Sequence, residues 1–160
     1  MECVFSRILV PYDGSGYSDR ALAYAVKMAK GTEAKIVLLN VVEEIPIPPM
    51  IERPHFHSKI TGEDVPIETY LKELYQDLRK EVSKMLEAKR EEYDLPKDIV
   101  ETKVVVGYPT EEILRFAKEG RFDLIVMGTK GLKGIARVAA LGSVARRVLE
   151  RAECPVLLVH

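Results

Sequence analysis

One stretch, residues 125–144, constrains the fold of this chain more than any other, because a strand pattern passes through glycines into a helix pattern. The apolar run that ends at Met127 is typical of a strand buried on both faces. Glycines follow at positions 128, 131 and 134, and Gly142 and Ser143 open the helix pattern. Since the first N–H groups of a helix lack intrahelical partners and carry about half a positive charge, we expect a phosphate-binding loop here.

Apolar runs of strand length alternate with helical apolar spacing along the chain. The strand runs cover residues 7–11, 35–42, 100–106, 122–127 and 155–159. A first helix, capped by Ser15 or Ser18, ends before Gly31, and others cover residues 66–93, a short segment after the turn at 107–112, and residues 143–152. The alternation predicts a doubly wound α/β fold, with a five-stranded parallel sheet and four main helices.

Two of these strands have the features of sheet edges. Glu101 and Lys103 interrupt the apolar residues of the third run, which is typical of a strand near an edge. We expect the terminal residues 156–159 at an edge as well, where a bare apolar strand invites pairing with another chain.

Residues 43–65 interrupt the alternation with prolines at positions 46, 48, 49 and 54. Proline continues neither a helix nor a central strand, so we expect a long, partly extended connection. His55 and His57 are spaced for metal binding, but no third ligand stands at a known spacing, which favours a surface loop over a metal site.

Composition limits the classes of function. A length of 160 residues suits one domain, and a net charge of −1 gives no general attraction for nucleic acid or a membrane surface. No apolar run approaches the roughly 20 residues that cross a bilayer, and the first residues lack a basic signal-peptide region. Cys3 and Cys154 lack metal-ligand spacing, so we expect reduced thiols in a cytoplasmic protein.

Several nucleotide and catalytic motifs are absent from the sequence. Asp19 replaces the third glycine of a dinucleotide fingerprint that would begin Gly14-x-Gly16, and no P-loop motif occurs. The third strand ends at Val106 rather than at an aspartate, which disfavours a phosphoacceptor receiver. The three histidines, at 55, 57 and 160, do not assemble into a Ser/His/Asp set.

Five segments together resemble the universal stress protein family, in its ATP-binding type. They are Ile-Leu-Val-Pro-Tyr-Asp-Gly-Ser at 8–15, Gly-Tyr-Pro-Thr-Glu-Glu-Ile at 107–113, Met-Gly-Thr-Lys-Gly at 127–131, Leu-Gly-Ser-Val-Ala at 141–145 and Cys-Pro-Val-Leu-Leu-Val at 154–159. The resemblance implies one universal stress protein domain over residues 1–160, with 43–65 as its Pro-rich connection, and an adenine-nucleotide alpha-hydrolase-like fold. It also implies ATP or AMP as ligand, with Mg²⁺ held mainly by the phosphates.

The resemblance implies a role for each matched residue. Pro11, Tyr12 and Asp13 would lie against the adenosine, the Val41 backbone would meet adenine, and Met127 would pack beside the base. The ribose and phosphates would be surrounded by Gly128, Thr129, Gly131, Gly142, Ser143 and Val144. The family motif has nine residues between its second and third glycines, whereas ten separate Gly131 from Gly142. A bulge near residues 138–140 would preserve the phosphate contacts; without one, triphosphate binding fails and the fold is unaffected.

Other interpretations of these residues stay open. Gly128 and Gly131 are also typical of simple turns, and Asp13 and Ser143 are also typical of helix caps. The basic residues of the loop could lie on a solvated surface as readily as at a phosphate site; they are Lys130, Lys133 and Arg137. Family members that resemble this chain dimerise through the last strand, which predicts a homodimer. The alternatives to an ATP-binding regulatory module are an interaction scaffold that binds no triphosphate and a slow ATPase, for which only Asp13 could act as a base.

Overall fold

The computed structural model describes residues 5–49, 54–132 and 141–160. Within them the chain forms β1 (Arg7–Pro11), α1 (Gly16–Ala29), β2 (Lys35–Glu43), β3 (His55–His57), β4 (Asp64–Pro66), α2 (Ile67–Glu92), β5 (Val100–Gly107), α3 (Pro109–Glu119), β6 (Leu124–Gly128), α4 (Ser143–Arg151) and β7 (Val156–Val159). The predictions for Cys3, Lys133, Gly134, Arg137 and the extra loop residue near 138–140 lie outside these ranges.

Five strands form one parallel sheet in the order β5-β2-β1-β6-β7. The α/β class, the five parallel strands and both edge positions, β5 and β7, are confirmed. From β1 the chain adds β2 and β5 on one side, then β6 and β7 on the other, so the topological switch point lies between β1 and β6. Ligands of open α/β sheets bind at the carboxyl ends of the strands at such a point.

Alternating side chains of the central strands enter two apolar layers. Ile8 and Val10 of β1 pack in a layer with α1 and α2, whereas Leu9 packs in a layer with α3 and α4. All three are essentially inaccessible to solvent. Burial on both faces explains why these strands are continuous apolar runs rather than alternating ones.

The first helix begins as the sequence predicted. Ser15 is its N-cap, and the Ser15 hydroxyl accepts a hydrogen bond from the Ser18 N–H at 3.2 Å. Such a cap satisfies one of the N–H groups that helix geometry leaves without a partner.

The long connection contains an antiparallel hairpin of β3 and β4, which the sequence analysis did not predict. Its attachment to α2 is specific: the rings of Phe56 and Tyr70 stack at 5.0 Å between centroids. The buried Ser58 hydroxyl donates to the Glu73 carboxylate at 2.6 Å. Three-residue strands carry too little periodicity to be recognised, and these contacts with α2 supply what the local sequence lacks. Of the helices in the described ranges, none is both long enough and apolar enough to cross a membrane.

Candidate functional site

The fold brings the glycine-containing stretch and the end of β1 together at the switch point. The last residue of β6 is Gly128, and the carbonyl of Thr129 accepts a hydrogen bond from the Gly142 N–H at 2.8 Å. This bond holds the start of α4 against the end of β6, although 13 positions separate the two residues in sequence. The strand and the helix predicted at the two ends of residues 125–144 are therefore present and adjacent.

The N-terminus of α4 offers hydrogen-bond donors. Gly142 is the N-cap, and the first intrahelical bond runs from the Arg146 N–H to the Gly142 carbonyl at 3.0 Å. Helix geometry therefore leaves the N–H groups of Ser143, Val144 and Ala145 without intrahelical partners, and the N-cap residue, a glycine, has no side chain to cap them. Ser143 occupies the first helical position, so the alternative that Ser143 is the N-cap residue is wrong.

Asp13 links the loop after β1 to the loop after β6. Its Oδ1 accepts from the Ser15 N–H at 2.9 Å and its Oδ2 from the Leu132 N–H at 3.0 Å. A Cβ added to Gly131 would lie 2.6 Å from that Oδ2. The absence of a side chain at Gly131 therefore allows the close approach of a carboxylate, and Asp13 does more than support the N-cap of α1.

Gly128 is a packing glycine. A Cβ there would lie 2.6 Å from the Cβ of Tyr17 and 2.8 Å from the Tyr17 carbonyl carbon. Because the contact includes helix backbone, the missing side chain at 128 is what lets the first turn of α1 pack on the end of β6.

Three of the residues that were predicted to lie beside the adenosine, Pro11, Val41 and Met127, are on the same side of the sheet. Met127 belongs to the apolar layer with α3 and α4, and Val41 packs against that layer. Pro11 follows Leu9 by two positions in β1, so its side chain is on the same face. These residues end or nearly end three adjacent strands, β2, β1 and β6; Met127 is buried, whereas Pro11 and Val41 are partly exposed.

Tyr12 points to the opposite side. Its ring is buried with α1 and α2, and its hydroxyl donates to the Asp19 carboxylate at 2.6 Å. Burial, together with the Asp19 carboxylate, raises the pKa of Tyr12 above its ordinary value. The Tyr12 N–H donates to the Leu39 carbonyl, and the Tyr12 carbonyl accepts from the Asn40 side chain. All its polar groups thus have protein partners.

Sequence reasoning missed one residue at this site, His160. Its Nδ1 is hydrogen-bonded to the Thr129 Oγ1 at 2.9 Å. The register of β6 and β7 places Gly128 level with Val159, so the next residues of the two strands meet. Thr129 follows the fourth predicted strand run by two positions and His160 directly follows the fifth, but the pairing of these two strands was not predicted.

The described residues offer little to a metal ion. No group of three or more His, Cys, Asp or Glu side chains in those ranges could hold a metal ion. In the hairpin, His57 Nδ1 lies 3.4 Å from Asp64 Oδ1, and both side chains are largely exposed.

The fold and the site define a doubly wound parallel α/β protein with a glycine-capped helix N-terminus and apolar strand ends at its switch point. The model of the universal stress protein family matches residues 5–160. The chain therefore belongs to the universal stress protein family.

Two curated relatives illustrate the similarity. Universal stress protein MJ0531 of Methanocaldococcus jannaschii is 37% identical over 158 residues, which cover 99% of this chain and 84% of the relative. Universal stress protein YxiE of Bacillus subtilis is 35% identical over 157 residues, covering 98% of this chain and all of the relative.

Two solved structures share the fold over nearly the whole chain. The first is the structure of MJ0577 of Methanocaldococcus jannaschii, with a TM-score of 0.76 and 27% identity, covering 98% of this chain and 96% of that one. The second is a universal stress protein in complex with cAMP, with a TM-score of 0.57 and 25% identity, covering 98% and 97% of the two chains.

Proposed function

We propose that this protein binds an adenine nucleotide, ATP in the first instance, at the switch point and acts as a regulatory module in a stress response. The observation that carries the proposal is the N-terminus of α4, whose N-cap is a glycine, at the switch point that the apolar residues Pro11, Val41 and Met127 share. A planar base suits apolar side chains, and an anionic phosphate suits the helix N-terminus. The family relative in complex with cAMP supports an adenine nucleotide as the ligand class.

Each part of the ligand has a proposed place. Adenine lies against Val41 and Met127, and the ribose lies near Asp13. The phosphates lie among Gly128, Gly131, Gly142, Ser143 and Val144, and they carry Mg²⁺, which keeps most of its other ligands as water. The N–H groups of Ser143 and Val144 are the main donors, because the Gly142 and Leu132 N–H groups already have protein partners.

A second candidate is a scaffold that binds no triphosphate. The ten-residue spacing between Gly131 and Gly142 and the use of the Gly142 N–H by Thr129 both favour it. Calorimetry with ATP and Mg²⁺, and separately with AMP, distinguishes the two. Tighter binding of ATP than of AMP supports phosphate contacts at α4, whereas no heat and no thermal shift at millimolar nucleotide favours the scaffold.

Two valines of β2 provide a matched pair of variants for the base site. Val41→Phe fills the space beside the proposed base, whereas Val42→Phe enlarges the neighbouring side chain on the opposite sheet face. Since overpacking costs roughly 1–3 kcal/mol, Val41→Phe should weaken nucleotide binding about tenfold or more, and Val42→Phe should change it little. Equal losses in both variants would contradict the placement of the base.

We also propose a homodimer in which β7 pairs antiparallel with its copy. β7 is an edge strand, and its residues Val156, Leu157 and Leu158 are only half-buried. About a two-fold axis residue i of one strand faces residue j of its copy, so a change at Leu158 alters the interface on both sides of the axis. Leu158→Lys should therefore produce a monomer, because it places two charged side chains in an apolar interface. Val105→Lys, on the opposite edge strand, is the control. Light scattering that finds a wild-type monomer at micromolar concentration removes this proposal.

A further inference from the structure

Thr129 has a protein partner for each of its polar groups. Its N–H donates to the Val159 carbonyl at 2.9 Å, its carbonyl accepts from the Gly142 N–H at 2.8 Å, and its hydroxyl is bonded to His160. The residue is 5% exposed. Thr129 therefore works as a junction between β7 and the first turn of α4, and its N–H is already bonded to the Val159 carbonyl.

His160 is itself held in place by the first helix. The Arg20 guanidinium donates from Nε to the His160 carbonyl at 2.7 Å and lies over the Tyr17 ring at 4.7 Å. Tyr17 is the residue whose Cβ and backbone pack against Gly128. A continuous set of contacts thus runs from α1 through His160 and Thr129 to the N-cap of α4.

We propose that His160 is a positioning residue for the candidate nucleotide site. By fixing the side chain of Thr129, it fixes the carbonyl that binds the Gly142 N–H, and so the direction of the N–H groups of Ser143 and Val144, which have no partner within the helix. This inference rests on the proposed nucleotide site for its effect on binding, but its effect on the Gly142 hydrogen bond does not depend on any ligand.

The test compares His160→Ala with His160→Asn in the full chain. An asparagine side chain places an oxygen or amide nitrogen near the position of Nδ1, so it can restore the bond to Thr129, whereas alanine cannot. His57→Ala, which removes an exposed histidine from the β3–β4 hairpin, is the matched control. Three quantities are measured: amide hydrogen exchange at Gly142 without ligand, the dissociation constant of ATP with Mg²⁺, and the thermal midpoint.

In His160→Ala, exchange at Gly142 and the ATP dissociation constant should each rise about fivefold, the factor that one ordinary hydrogen bond represents. His160→Asn should recover most of both losses, and His57→Ala should change neither. Thr129→Val should reproduce the alanine effect, and combining it with His160→Ala should add little, because both remove the same bond.

Two outcomes would overturn the inference. Gly142 exchange that is unchanged in His160→Ala would show that the bond to Thr129 does not position α4. A lower thermal midpoint with unchanged Gly142 exchange and unchanged ATP binding would show a merely structural role. If the wild-type protein binds no nucleotide, the proposed function fails, while the exchange measurement still decides the positioning role.

Discussion

Gly131 and Gly128 are glycines for different reasons, and alanine substitutions should separate the two. At Gly131 an added Cβ meets the far end of a flexible side chain, the Asp13 Oδ2, at 2.6 Å. At Gly128 it meets the Cβ and backbone of Tyr17 at 2.6 to 3.1 Å. A carboxylate can rotate away, whereas helix backbone moves only if α1 shifts. Gly131→Ala should therefore be the milder change.

The structure sets the expected magnitudes. Rotation of Asp13 breaks its hydrogen bond from the Leu132 N–H, and one such bond at a half-exposed site contributes about 1 kcal/mol. Overpacking against α1 at Gly128 costs roughly 1–3 kcal/mol. Gly16→Ala is the control, because the nearest atom to its added Cβ is a flexible Arg20 nitrogen at 3.8 Å. Its unfolding free energy should stay within about 0.5 kcal/mol of wild type or rise.

Repeating the glycine substitutions in an Asp13→Ala variant tests the cause of each cost directly. Asp13→Ala removes the carboxylate that Gly131→Ala would displace, so in that background the Gly131 substitution should cost nearly nothing. The cost of Gly128→Ala should persist, because Tyr17 is unchanged. Urea unfolding of the wild type, Asp13→Ala, Gly131→Ala and the double variant gives the coupling free energy between positions 13 and 131. If Gly131→Ala costs the same with and without the Asp13 carboxylate, the close approach is not the reason for glycine at 131.

Three further predictions concern titrating groups. Tyr12→Phe should lower the unfolding free energy at neutral pH by about 1 kcal/mol, since it removes the hydrogen bond to Asp19. Because the Tyr12 pKa is raised in the fold, unfolding releases a proton above about pH 10, and stability falls there as pH rises. Urea titrations should therefore show a smaller alkaline loss in the variant, and an equal loss would contradict the burial argument. Burial raises the pKa of the Cys154 thiol, so in a Cys3→Ser background iodoacetamide should alkylate it more slowly than a free thiol at the same pH. Arg151 bonds to both oxygens of Glu111 and lowers its pKa, and NMR titration of Arg151→Ala should show that pKa returning toward its ordinary value with little change in thermal midpoint.

The sheet was predictable from sequence because its central strands are buried on both faces. Leu9 and Val10 point to opposite faces of the sheet and both are fully buried, so the strand is one apolar run in the sequence. The edge position of β5 was readable for the complementary reason, since Glu101 and Lys103 are exposed. The hairpin was not readable, because Phe56 depends on Tyr70, a partner 14 positions away in another element.

At the site, the family motif predicted which positions lie near the ligand but not the direction in which each side chain points. The resemblance brought Tyr12 and Thr129 into the predicted ligand contacts, yet Tyr12 turns toward Asp19 and the Thr129 hydroxyl toward His160. Tyr12 directly follows Pro11, the last residue of β1, so strand alternation alone predicts that the two side chains lie on opposite faces of the sheet. The Thr129 partner depends on the parallel pairing of β6 with β7, which the structure supplies and which was not predicted. A motif names positions near a ligand, and the period of two along each strand then separates the side chains that face it from those that hold the loop in place.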